Sequence, residues 1–127
     1  MAYSENQTNI TLPASTDLSA SQYCFVTIDT SGEVGLATAG GNAIGILQNA
    51  PSAQGQAAEV LISGVSRLVS AGGGGLGIRA GYNLASAASG EGAETTTGDY
   101  RMGIIIETAT ASGDIGTVVF SPNGLVA

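Results

Sequence analysis

The sequence predicts an all-β protein, a compact antiparallel β-sandwich or small barrel built from two weakly similar halves with an extended N-terminal arm. Three observations carry that expectation. Ser31-Gly32-Glu33 recurs as Ser89-Gly90-Glu91 and Ile44-Gly45-Ile46 as Met102-Gly103-Ile104, both at an offset of 58 residues (89 − 31 and 103 − 45). The register holds beyond these landmarks, since Val26 falls on Leu84 and Gln48-Asn49-Ala50 on Ile106-Glu107-Thr108. A small β-unit repeated in register closes one core from two halves. Short apolar runs rich in β-branched residues, separated by turn signals roughly every eight to twelve residues, read as about eight to ten strands. Finally, 20 glycines in 127 residues disfavour helix almost everywhere.

Taken in order, residues 1–18 are polar, with Ile10 and Leu12 as one alternating apolar pair before Pro13. One such pair cannot make its own core, but it can join an edge strand to another chain. We therefore expect Asn9, Ile10, Thr11 and Leu12 to contact a neighbouring subunit or a larger assembly. Residues 22–29 alternate and are rich in aromatic and β-branched types, Thr30-Ser31-Gly32-Glu33 turns them back into Val34-Gly35-Leu36-Ala37, and the pair reads as a hairpin. Gly40-Gly41-Asn42 is the next turn and 43–47 the next strand. Residues 58–69 form the longest apolar-rich stretch, split by Gly64, and read as two strands or one strongly bent strand.

Gly72 to Gly75 are consecutive, so 71–77 is expected to be a loop joining half-repeats at about 19–66 and 77–124 within one domain, 19–127. The second half should open at 78–84, pass a polar stretch from 86 to 99, and continue with strands over 101–107 and 115–120. Residues 84–88 are the least unfavourable place for a helical turn.

Composition narrows the function. Formal net charge is −7, lysine is absent, and the cations are Arg67, Arg79 and Arg101, each more than ten residues from the next. Phosphate neutralisation and anionic membrane surfaces both need clustered cations, so neither nucleic acid nor membrane is an expected partner. Without histidine or lysine the common nucleophile–base pairs cannot be built, and one cysteine cannot close a zinc site, so we expect no enzyme and no cofactor or metal. Cys24, mid-strand, reads as a small buried hydrophobe.

Weaker motifs resolve the same way. Glu91, Glu94 and Asp99 form the densest carboxylate group, but their spacing lacks the alternation of a calcium loop. A small-ligand or glycan module there remains an alternative. Gly75-Leu76-Gly77-Ile78-Arg79-Ala80 fits a dinucleotide fingerprint by letter, yet Gly81 and Asn83 follow where a helix is required. Asn6-Gln7-Thr8 and Asn9-Ile10-Thr11 match glycosylation acceptors, but the first residues carry neither a basic region nor an apolar run, so synthesis in the cytoplasm is expected.

The ordered series Gly32-Glu33-Val34, Ala43-Ile44-Gly45-Ile46, 58–64, Leu68-Val69-Ser70-Ala71-Gly72, Ala80-Gly81-Tyr82-Asn83-Leu84 and 102–107 resembles the capsid cement, or head decoration, proteins of tailed bacteriophages. That family often starts each half with Ala-Gly-Asp, where this chain has Ser21-Gln22-Tyr23 and Gly81-Tyr82-Asn83. The resemblance implies a β-fold on the outer surface of the virion, a homotrimer bridging subunits of the major capsid protein, and no catalysis. A tail or fibre component is the structural alternative.

Overall fold

The computed structural model describes residues 2–72, 77–96 and 98–122. The middle of the expected glycine loop, 73–76, and the end of the second half-repeat, 123–124, lie outside them. Among the described residues nine strands make one curled antiparallel sheet: β1 (Glu5–Pro13), β2 (Phe25–Ile28), β3 (Val34–Leu36), β4 (Gly45–Leu47), β5 (Ala57–Val69), β6 (Asn83–Ser86), β7 (Gly92–Glu94), β8 (Gly103–Glu107) and β9 (Ile115–Phe120). Their order is β3-β2-β4-β5-β9-β8-β6-β7, with β1 paired onto β5. The fold class is the one expected, all-β.

The duplication is more regular than the sequence identity suggests. Strands β2 to β5 begin at 25, 34, 45 and 57, and β6 to β9 at 83, 92, 103 and 115, each 58 later (83 − 25, 92 − 34, 103 − 45, 115 − 57). Registers repeat too. Val26↔Leu36 recurs as Leu84↔Glu94, Phe25↔Ile46 as Asn83↔Ile104, and Ile46↔Leu61 as Ile104↔Val119. Loop bonds follow: Tyr23 N donates to Leu47 O at 2.7 Å and Gly81 N to Ile105 O at 2.8 Å. The left-handed backbone there is shared, φ 65° at Tyr23 and 87° at Gly81, so the fold holds a tyrosine where its twin needs only glycine.

β5 is the wall between the halves. Gly64, at φ 122°, lets one continuous 13-residue strand pair β1 and β4 early and β9 late, which selects the bent strand of the two sequence readings. On one face Val26, Leu47, Ala58 and Val60 join Ala14, Leu18 and Val34 in a buried core. On the other, Phe25, Ile46 and Leu61 join Leu68, Ile78, Leu84, Met102, Ile105, Val118 and Phe120 in a second. Successive residues of one strand therefore serve different cores. Burying a side chain such as Phe25 or Leu61 contributes roughly 1.5–3 kcal/mol, so covering this second face is a main source of cohesion between the halves.

Several expectations need correction. Residues 84–88 are not helical: β6 runs to Ser86, and only a 3-10 turn at Ala88–Gly90 follows, where the first half has its β2–β3 turn. Ser89 (φ 61°) and Gly90 (φ 77°) cannot continue a helix. The first strand of the second half starts at Asn83, and Ile78 makes an isolated bridge to Ala109. The polar stretch 86–99 contains β7, whose Gly92 and Glu94 stand where Val34 and Leu36 make the strand legible in the first half.

Candidate assembly surface

The residues singled out at the N-terminus lie in β1. Asn9 pairs with Leu61, Ile10 with Val60, Thr11 with Glu59 and Leu12 with Ala58. The segment expected to be an arm is thus strand-added to β5 of its own chain. The duplication gives the reason: Leu12↔Ala58 and Pro13↔Ala57 repeat as Leu68↔Gly116 and Val69↔Ile115, so β1 stands to β5 as β5 stands to β9. The first half needs a strand in that place to close its core, and β1 supplies it.

Side chains fix β1 there. Leu12 is half-buried against the first core, and Gln7 Nε2 donates to Gln48 Oε1 and Val65 O, both at 3.2 Å. Gln48 in turn donates to Ser66 Oγ at 3.0 Å. Ile10, two residues from Leu12 and so on the same face of the sheet, is left 37 % exposed between exposed Asn9 and Thr11. Asn9 Nδ2 reaches Glu59 Oε1 at 3.4 Å. Among the described residues β1 pairs only β5, so its other edge offers backbone groups to a partner. Register shifts between Glu5 and Asn9 and the terminal Pro13 limit that edge to a short stretch centred on Ile10.

In the acidic loop Glu94 and Asp99 each have a partner of their own. Glu94 is gripped by Arg79 through Nε–Oε2 (2.6 Å) and Nη2–Oε1 (2.7 Å), and Arg79 also lies over the Tyr82 ring at 4.2 Å. The guanidinium holds the Glu94 carboxyl below the usual carboxylate range. Asp99 Oδ2 accepts from Thr96 N at 2.8 Å and Thr96 Oγ1 at 3.1 Å. No three metal-ligating side chains cluster among the described residues. Cys24 is buried, and desolvation, with the charge of Glu91 second, pushes its thiol up to about 11.

Sequence reasoning missed a groove of about 320 Å³ lined by Arg101, Gly103, Ile104, Val119 and Ser121. Ile104 is 42 % exposed and Arg101 Nε is buried with no hydrogen-bond partner among the described residues. The signal was present: its positions are those of Ala43, Gly45, Ile46, Leu61 and Ser63, each 58 residues earlier.

No protein-family model matches this chain, and no curated protein matches it by sequence. Among solved structures it is similar in fold to the head fiber gp8.5 N base of bacteriophage phi29, with TM-score 0.64 and 16% identity, covering 95% of this chain and 99% of that one.

Proposed function

We propose that this chain is a structural protein of a bacteriophage virion, mounted on the outside of the head, where it bridges subunits of the major capsid protein. The observation that carries the reading is the likeness in fold, over nearly the full length of both chains, to the base of a phage head fibre. At 16% identity that likeness is one of architecture. Composition supports it, since a decoration protein needs complementary surfaces and no titrating nucleophile, and this chain has neither histidine nor lysine.

The mechanism is linkage. A protein that binds the assembled shell and not its free subunits stabilises the shell by an amount growing with the logarithm of its concentration over its dissociation constant. A homotrimer at a three-fold position multiplies weak contacts through effective concentration. In this reading Asn9, Ile10 and Thr11 on β1 are the capsid contact, and Leu12 holds the strand that presents them.

The similarity to a fibre base favours a second reading, in which the chain anchors an appendage instead of tiling the lattice. Quantitative mass spectrometry of purified virions against the major capsid protein separates them. A copy number that is a simple large fraction of the shell subunits supports cement, a much smaller one a fibre base, and absence from virions overturns both.

A further inference from the structure

The halves are stacked in series, and the stack is unfinished at both ends. The outer face of the first half, Phe25, Ala37, Ala43, Ile46 and Leu61, is buried because the second half covers it, with Phe25 and Phe120 ring centroids 6.1 Å apart. The counterparts 58 residues on are Asn83, Thr95, Arg101, Ile104 and Val119, of which Asn83 and Ile104 are exposed and the other three half-buried. Ile46 is fully buried whereas Ile104 is 42 % exposed. Gly40 is packed so that a Cβ would strike Asp99, and its N–H and carbonyl bond to Ser86 and Tyr100, while its counterpart Gly98 has nothing within 4 Å of a Cβ. The groove beside Arg101 is this uncovered face.

The opposite end shows the complementary deficit. The second half covers the first with a surface that includes Leu68, Met102 and Phe120, all buried. Their counterparts in the first half, Leu12, Ile44 and Ile62, are only half-buried, and Leu36 beside them is too. One end of the chain thus has the apolar surface that the other end lacks a cover for.

We infer that a second copy of this chain docks head-to-tail, its Leu12, Leu36, Ile44 and Ile62 face on the Ile104 and Val119 groove, continuing between chains the contact that joins the halves within one. The inference deepens the proposed self-association, on which it rests, by assigning its surfaces. It is a heterologous contact, so it closes into a ring or runs on as a filament according to the rotation per copy. Arg101 suits the position. In a chain of net charge −7 a cation at the junction offsets repulsion between copies.

Paired cysteine variants test the contact, both in a Cys24→Ala background. Ile104→Cys is mixed with Ile44→Cys at high concentration under an oxidising thiol couple, with Leu36→Cys as an independent probe should Ile44→Cys fold poorly. A covalent dimer in the mixture, absent from either variant alone and lost when Arg101→Glu is added, is the expected result. Dimer from Ile104→Cys alone would mean a two-fold contact and overturn the head-to-tail arrangement, as would no dimer in any mixture. Virion copy number does not enter this readout, so failure here is distinguishable from failure of the capsid reading.

Discussion

Gly45 and Gly103 hold the same place in the two halves, and each passes so close to a neighbouring strand that an added Cβ would lie 2.0 Å from Leu61 O and 1.8 Å from Val119 O respectively. The obstacles are backbone carbonyls, which cannot step aside as a flexible side chain would. Gly103 is in addition at φ 146°.

Gly45→Ala and Gly103→Ala are each expected to destabilise by about 2–3 kcal/mol or to prevent folding, the cost of strain at a site that cannot relax. Gly55→Ala is the control, because its positive φ is strained but nothing stands within 4 Å. It should cost about 1 kcal/mol. Urea unfolding of the three variants checks the order.

Phe25→Ala and Phe120→Ala should each cost about 3–5 kcal/mol, since both rings are buried between the halves. Their effects should be non-additive, with a coupling of about 0.5–1.5 kcal/mol from the ring pair. A double-mutant cycle in urea measures it, and strict additivity would mean that the rings do not act as a pair.

Along β1 the two apolar residues should separate in effect. Leu12→Ala removes a half-buried side chain from the first core and is expected to cost about 1–2 kcal/mol, below the range for a fully buried leucine. Ile10→Asp should leave stability within about 0.5 kcal/mol, as surface changes do, and on the proposed function it weakens capsid binding. Melting curves and sedimentation with purified capsids distinguish the two.

Arg79 holds the Glu94 carboxyl below its ordinary value, 4.5, so the folded state binds that proton less readily than the unfolded chain. The contribution is therefore complete above the ordinary value and is lost as pH falls through the depressed one. Glu94→Gln should melt slightly lower than the parent at pH 7, and the gap should close as pH falls through the depressed value. A gap independent of pH would assign the effect to packing. It should also stay modest, because Arg79 is 40 % exposed and water screens the pair.

With its thiol pushed up to about 11, Cys24 should be nearly inert in the folded protein at pH 8. Labelling by a thiol-reactive dye is expected to follow the unfolding rate, and fast labelling of native protein would show that the bend holding Cys24, just before β2 and not mid-strand as its sequence suggests, opens locally.

Much of this fold was legible because β-structure writes itself into nearest neighbours. The runs at 22–29, 34–37, 43–47, 58–69 and 115–120 announced their strands through alternation and flanking turn residues, and Ser31-Gly32-Glu33 against Ser89-Gly90-Glu91 announced the duplication. β7 was not legible, because Gly92 and Glu94 hold a strand by backbone pairing with Ser86 and Leu84 and bring no apolar side chain to it. The Arg101 groove was missed for a related reason: exposure at Ile104 depends on what does not cover it, and a sequence shows only what is present.

By itself the sequence determined the all-β class, the repeat and its 58-residue step, and the poverty in cations and nucleophiles, since these rest on local periodicity and on which residue types exist. The tertiary structure alone decided that β1 completes the chain's own first core, that one face of the first half is sealed by the second, and that the same face on the second is left open. Those are matters of which surface meets which. The same residue pattern at 46 and at 104 can be buried or bare, and only the arrangement of the chain in space tells them apart.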